Sequence, residues 1–255
     1  AHIYVSEDQV EAEYLNVFEI VERFYSIFGM KYSFRLGTRN PENFMGDIET
    51  WNRAEDTLKK ILEKSGIAYF VQDGDGAFYG PKVDILMKDA LGRSWQMGTV
   101  QLDFQQPRRF DLKYVDKDGS QKTPIAIHRV IYGSLERFIG ILIEHYAGAF
   151  PLWLAPVQAV VLPISEKHAD YAQKVINDLK LSGVRCELDA RSESLGARIR
   201  DAEMQKIPYI LVVGDKEIDS GSVSVRRRHS KDTQTQPVND LLSTLKQEIA
   251  NRTNN

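Results

Sequence analysis

The spacing of apolar residues changes twice along this chain, and the two changes limit it to a fold in two parts. Up to Gly66 the period is helical: Val10, Tyr14, Val17, Val21 and Phe28 form one stripe, and Trp51, Ala54, Leu58, Ile61 and Leu62 form another. Ser6 with Gln9 is a capping-box signature, Gly29 stops the first helix, and Gly66 is placed to cap the second. From Ile67 the period falls to two. Ala68 to Val71, Val83 to Met87, Ser94 to Phe104 and Ile125 to Ile131 read as strands, with turn signals at Leu91-Gly92-Arg93 and Asp116-Lys117-Asp118-Gly119. Hairpin-linked strands predict an antiparallel sheet, to which His2 to Val5 adds the end of a further strand. Beyond Pro156 strands and helices alternate: strand Ala159 to Leu162, helix Ala169 to Leu181, strand Val184 to Leu188, helix Leu195 to Lys206, strands Tyr209 to Val213 and Ser222 to Arg227, and helix Val238 to Arg252. The prediction is an α+β unit with an antiparallel sheet over 1–152, followed by a smaller α/β unit with a mixed, mostly parallel sheet over 153–255.

Length agrees, since 255 residues make two domains of ordinary size. With 42% hydrophobic and 27% charged residues the composition is that of a soluble globular protein, which excludes disorder, collagen and coiled coil. The single Cys186 cannot form an internal disulfide and leaves too few thiols for a cysteine-built metal site, so a metal here relies on His and carboxylates, and a reducing, cytoplasmic compartment fits. Lys+Arg 33 against Asp+Glu 36 gives a net charge of −3, too little basic character to recruit nucleic acid through the whole chain. Any RNA contact is therefore local. The uncharged run from Ala147 to Ile164 approaches bilayer-spanning length, but Pro151, Pro156 and Pro163 interrupt it, so it reads as a linker into a buried strand and no membrane partner is expected. The chain begins at Ala1 without initiator Met or charged leader, and a missing upstream part is expected.

Three segments hold residues that could carry chemistry. The loop Asp73-Gly74-Asp75-Gly76-Ala77-Phe78-Tyr79-Gly80-Pro81-Lys82 has more glycine than a turn requires, as if something approaches its backbone closely. It reads as a ligand-binding loop or as a long hairpin loop. Asp73 and Asp75 suggest a calcium loop, but Phe78, Tyr79 and Pro81 occupy the stretch where further oxygen ligands belong; no helix follows, so a phosphate-binding loop does not match. In the next strand Thr99 and Gln101 share a face because their separation is even, and with Gln96 they line a pocket floor or face solvent. His128 and Arg129 interrupt an apolar strand, and the following helix, which reads as buried, opens with Arg137 in its first turn. There the helix dipole disfavours a cation, so Arg137 needs an anion: a polyphosphate, or a carboxylate such as Glu136. On residue type alone His128 is a core histidine or a ligand.

Gly-Ala-Phe-Tyr-Gly-Pro-Lys at 76–82, Gly-Thr-Val-Gln-Leu-Asp-Phe at 98–104 and Ile-His-Arg…Gly-Ser-Leu-Glu-Arg-Phe-Ile-Gly at 127–140 together resemble the threonyl-tRNA synthetases. The resemblance covers the whole chain, from Ala1-His2-Ile3, similar to the tail of the second class II signature, through Trp153-Leu154-Ala155-Pro156 into an anticodon-binding domain. It implies the antiparallel catalytic sheet of class II synthetases followed by an α/β anticodon-binding domain. The implied partners are threonine, ATP with Mg2+ and threonine tRNA, and the implied assembly is a homodimer.

The resemblance also implies site residues. Zinc in this family is held by one cysteine and two histidines; the matching histidines are His2 and His128, and the cysteine is expected upstream of Ala1, as is the arginine of the second signature. The zinc contacts the amino and hydroxyl groups of threonine and so rejects valine, which an apolar pocket discriminates poorly. Serine has both groups, and the family rejects it in a separate editing domain. Tyr79 and Lys82 fall beside the amino-acid and phosphate pocket, Gln96, Thr99 and Gln101 along the adenylate, and Ser134 with Arg137 in the third signature; Arg137 and Lys82 act at the reacting phosphates. Ser192, Lys216, Glu217 and Arg226 match positions that contact the anticodon, with Arg226-Arg227-Arg228-His229 supplying local positive charge and Ser192 standing where many relatives have Asn. Synthetases for proline, glycine or histidine share the sheet, but the histidine pair and the Phe-Tyr-Gly-Pro-Lys loop argue against them. The alternative of another class is a non-catalytic tRNA-binding accessory protein; the intact Arg137, Tyr79, Lys82, His2 and His128 argue against it.

Overall fold

Val10, Tyr14, Val17 and Val21 are buried along one face of a helix, as their spacing requires, in a computed structural model that describes residues 1–230 and 232–254. The elements of the first unit, Ala1–Glu144, run β1 (His2–Val5), α1 (Val10–Ile27), β2 (Tyr32–Gly37), α2 (Ile48–Ser65), β3 (Tyr69–Gln72), β4 (Lys82–Lys88), β5 (Ser94–Asp103), α3 (Gln105–Arg109), β6 (Tyr114–Val115), β7 (Gln121–Lys122), β8 (Ile125–Val130) and α4 (Leu135–His145). Ser6 N–H donates to Gln9 Oε1 at 3.1 Å, so the capping signature sets a single 3₁₀ turn ahead of α1. Helix α2 buries Trp51, Ala54, Leu58, Ile61 and Leu62; the Asp47 carboxylate accepts the Thr50 N–H at its start, and Gly66 ends it at φ 68°, a left-handed conformation that costs a glycine little.

Six strands form one sheet in the order β1-β8-β5-β4-β2-β3. All its pairs are antiparallel except β2 with β3, which run parallel, Phe34 opposite Tyr69. Strand β2 and this parallel pair differ from the all-hairpin sheet that the turn signals predict. The reason for the parallel pair is α2, which lies between β2 and β3 in the chain and returns it to the same end of the sheet. Helix α4, expected to be buried, is covered on one face only: Phe138, Ile141 and Leu142 are buried whereas Leu135, Ile139 and Ile143 are exposed.

The second unit, from His145 on, runs β9 (Ala159–Pro163), α5 (Ala169–Leu181), β10 (Cys186–Leu188), α6 (Leu195–Met204), β11 (Tyr209–Val213), α7 (Asp215–Ser220), β12 (Ser222–Arg227), β13 (Thr233–Pro237) and α8 (Val238–Ala250). Its sheet has the order β10-β9-β11-β12-β13, parallel among the first three strands and antiparallel at β12 and β13. Ala159, Val161, Leu211, Val213, Val223 and Val225 face α5 and α8, while Val160, Leu162 and Ile210 face Ala202 of α6 and Ile207. Every residue of β9 is buried, and Leu152 belongs to the same core, so the proline-interrupted run leads into a buried strand. No helix among the described residues is long and apolar enough to cross a membrane. Cys186 lies in β10, paired with β9 at the edge of the sheet, and is half-buried against the same core, where burial raises its thiol pKa.

Candidate functional site

In the first unit the strand registers gather the predicted residues on one face. His2 lies opposite His128, His128 opposite Gln101, Gln101 opposite Lys82, and Lys82 opposite Gly37, a continuous row across five strands. Cross-strand partners project to the same side, so the row follows from pairing alone. Two residues along, the parallel row reads Val130, Thr99, Asp84 and Arg35. Gln96 is separated from Thr99 by an odd number and by parity points to the far side. A bulge between Ile85 and Leu86 shifts the register so that Gln96 faces Leu86, and Gln96 Nε2 then donates to Asp84 Oδ1 at 2.8 Å.

The histidine rings stand edge to face with centroids 4.7 Å apart. His128 Nε2 lies 2.8 Å from Oδ2 of Asp103, a fully buried carboxylate whose Oδ1 accepts the Gln105 and Gln106 N–H groups at the start of α3. A carboxylate only accepts, which assigns the proton to Nε2 and leaves the Nδ1 lone pair as donor. Tyr79 places its ring 5.7 Å from that of His128, and its hydroxyl donates to Gln101 Oε1; burial first, and the charge of Asp103 second, raise its pKa. The close approach read into the glycine loop is made by the chain itself. A Cβ on Gly80 would stand 1.7 Å from the Leu102 carbonyl oxygen.

Around Lys82 lies a cluster that motif reading missed. Asp84 is fully buried; its Oδ2 accepts Arg35 Nη2 at 2.7 Å and Nε at 3.2 Å and stands 3.0 Å from Lys82 Nζ. Asp75, on the glycine loop, closes the cluster at 3.1 Å from Arg35 Nη2 and 3.2 Å from Lys82 Nζ. Two cations and two carboxylates balance. The Thr99 hydroxyl, between these groups and β8, is buried with no hydrogen-bond partner. Arg137 is exposed at the head of α4, where Ser134 Oγ accepts its N–H at 3.2 Å. The Glu136 pairing weighed for it is not formed: Nη1 donates to the Gln96 carbonyl at 2.7 Å and the guanidinium lies 5.6 Å from the Trp95 ring centroid.

In the second unit Ser192 and Lys216 lie beyond the carboxyl ends of the parallel strands β10 and β11, where ligands of open α/β sheets collect. Ser192 lines a cavity of about 400 Å³ with Ser165, Arg191 and Arg198. Glu217, in α7, is buried; its Oε2 accepts the Gly214 N–H at 3.0 Å and its Oε1 the Ser224 hydroxyl at 2.8 Å. Arg226 shares the face of Ser224 and pairs with Glu203 at 2.6 Å. The arginine run forms no single patch, because alternation sends Arg227 to Glu248 on the other face and Arg228 Nη1 donates to the Lys206 carbonyl.

Two family descriptions match these units separately. Residues 1–146 match the tRNA synthetase class II core domain (G, H, P, S and T), and residues 158–248 match an anticodon binding domain. The chain belongs to the class II aminoacyl-tRNA synthetases. It is 52% identical over 249 residues to the threonine–tRNA ligase of Carboxydothermus hydrogenoformans, covering 98% of this chain and 39% of that protein. It is 53% identical over 252 residues to that of Symbiobacterium thermophilum, with 99% and 39% covered. The chain thus spans about two fifths of the length of the curated relatives it matches. A crystal structure described as the RNA binding domain of threonyl-tRNA synthetase from Cryptosporidium parvum Iowa II superposes with a TM-score of 0.91 at 36% identity, over 96% of this chain and 62% of that one.

The zinc that the resemblance implies calls for one cysteine and two histidines. His2 and His128 offer two imidazole donors side by side, which fits two of the three expected ligands. Among the described residues no group of three His, Cys, Asp or Glu side chains could hold a metal, and Cys186 lies in the second unit.

Proposed function

We propose that the chain is part of a threonine–tRNA ligase that works with ATP and Mg2+ in the cytoplasm as a homodimer. The carboxylate of threonine attacks the α-phosphate of ATP, pyrophosphate leaves, and the threonyl group then passes from AMP to the terminal ribose of threonine tRNA. Catalysis of this kind needs positioning and charge neutralisation rather than a covalent nucleophile. The observation that carries the reading is the row His2, His128, Gln101 and Lys82 across the sheet with Tyr79 bonded over it, since it sets metal-type donors, polar groups and a cation along one line.

His2 and His128 would hold the zinc together with a further ligand, and the ion would supply Lewis acidity toward the amino and hydroxyl groups of threonine. Asp103 keeps the proton of His128 on Nε2. Tyr79 lies beside the amino acid; Gln96, Thr99 and Gln101 line the adenylate; Lys82 and Arg137 take the phosphates. The guanidinium of Arg137, already beside Trp95, presents a flat fork suited to adenine and the terminal phosphate. In the second unit Ser192, Lys216, Glu217 and Arg226 contact the anticodon. Domains 1–152 and 153–255 divide the two tasks.

Threonine-dependent ATP–pyrophosphate exchange on the full-length natural protein tests this reading. Exchange with threonine, less with serine and almost none with valine is expected; no exchange with any of them shifts the assignment to a tRNA-binding accessory protein. His128→Ala is expected to remove bound zinc, read by metal analysis, together with threonine binding. Valine-rejecting threonine binding retained in that variant would remove zinc from the selection step.

A further inference from the structure

Two carboxylates share the two cations of the first unit, and they are not held alike. Asp84 is fully buried and fixed by hydrogen bonds from Arg35 Nε and Nη2 and from Gln96 Nε2. Asp75 has a side chain 35% exposed, and its Oδ2 is itself buried with no hydrogen-bond partner although two cationic nitrogens stand 3.1 and 3.2 Å away. Arg35 Nη2 carries two hydrogens, which go to Asp84 Oδ2 at 2.7 Å and Gln96 Oε1 at 2.9 Å, so toward Arg35 Asp75 is a third acceptor; its approach to Lys82 Nζ at 3.2 Å is likewise an ion pair without a hydrogen bond.

The backbone beneath Asp75 is pinned. Gly76 N–H donates to the Thr38 carbonyl at 2.7 Å, and a Cβ on Gly37 would stand 2.8 Å from the Asp75 carbonyl oxygen. The loop cannot withdraw without breaking that seat, but the Asp75 side chain can turn about its own χ1 toward solvent. Removing it leaves Arg35 and Lys82 against Asp84 alone, a net positive pocket. Beside it the Thr99 hydroxyl, register partner of Asp84, still lacks an acceptor.

We propose that Asp75 stands in for an anionic group of the substrate: its carboxylate neutralises Arg35 and Lys82 in the ligand-free site, and a phosphoryl group of ATP takes over those cations as the side chain turns away. Arg35 thereby becomes a phosphate-binding residue and Asp84 the positioning residue that holds both cations. Asp75 acts as a competitor that lowers ATP affinity and keeps the pocket closed to other anions. The identity of the anion rests on the synthetase reading; the exchange of one carboxylate for another anion rests on the cluster.

The test is isothermal titration of ATP, with adenosine as the neutral probe, into the full-length protein and its Asp75→Asn and Asp75→Glu variants, with pyrophosphate exchange measured in parallel. Asp75→Asn is expected to bind ATP about fivefold more tightly, the factor equivalent to about 1 kcal/mol of released ion pairing, with adenosine unchanged and Asp75→Glu close to wild type. ATP binding that is unaltered or weaker in Asp75→Asn overturns the proposal, as does an equal gain for adenosine. Wild type that binds ATP but shows no threonine-dependent exchange defeats the synthetase reading instead, while a fivefold gain in that same protein still supports the anion exchange.

Discussion

Asp89 shows at the scale of one residue how a turn can depend on a single charge. It lies between β4 and β5, and its carboxylate accepts the Leu91 and Arg93 N–H groups at 3.0 and 2.9 Å, Arg93 Nε at 2.6 Å and Trp95 Nε1 at 2.8 Å. Burial on its own raises the carboxyl pKa, but the bonds from Trp95, Arg93 and Leu91 together outweigh it and bring the group down from 3.8 to about 2. A carboxylate depressed in the folded state contributes stability that is complete above the unfolded pKa and disappears as pH falls through the folded one. Asp89→Asn is therefore expected to lower the melting temperature at pH 7, and the gap to wild type should shrink between pH 4 and pH 2. Calorimetry across that window checks it; a gap independent of pH would mean that the carboxylate acts by shape alone. The turn signal Leu91-Gly92-Arg93 is visible in the sequence, yet the residue that holds the turn is the Asp just before it, which no periodicity marks.

At the scale of elements, α1, α2, α4, α5, α6, α8, β4, β5 and β8 are legible because apolar spacing reports burial directly: Val83 to Met87 are all buried in the middle of the sheet, whereas the short α3 and α7 are too brief to carry a period. What stayed illegible depends on partners far away in the chain. The strand β2 itself carries a local signal in the alternation Tyr32-Ser33-Phe34-Arg35-Leu36, but its parallel pairing depends on where α2 sets the chain down. Gln96 joins the site only through the bulge at Ile85 and Leu86, which no local pattern announces. Arg35, Asp84 and Asp103 look like ordinary strand charges until pairing brings them beside Lys82, Gln96 and His128. The glycine loop was legible as crowded, but the crowding comes from the neighbouring strand. Gly80→Ala is accordingly expected to destabilise the first unit by about 3 kcal/mol, because the Leu102 carbonyl 1.7 Å from the new methyl is backbone and cannot move aside without disturbing β5. Displacing β5 also carries Gln101 away from Tyr79, so threonine-dependent exchange should fall with the unfolding temperature. An unshifted thermal transition in Gly80→Ala would show that the loop relaxes freely.

Across this chain a net charge of −3 gives no general attraction for nucleic acid, so the proposed tRNA contact must come from particular surfaces. On β12 alternation puts Ser224 and Arg226 on one side and Arg227 on the other, and only the first pair lies on the Glu217 side of the sheet. Arg226 is 30% exposed and its partner Glu203 is 45% exposed, and a surface ion pair of this kind contributes at most about 1 kcal/mol to stability. Arg226→Ala should thus leave the second unit folded, which allows a functional loss to be read as lost recognition. The two reaction steps separate the outcomes, because adenylate formation needs no tRNA. Arg226→Ala is expected to reduce kcat/KM for tRNA charging about tenfold while pyrophosphate exchange keeps its wild-type rate. A tRNA contact also releases counterions, so the salt dependence of charging should become shallower in the variant. Equal losses in charging and exchange would assign the effect to misfolding, and an unchanged charging rate would remove Arg226 from the anticodon surface, leaving Ser192 and Lys216 at the strand ends to carry it.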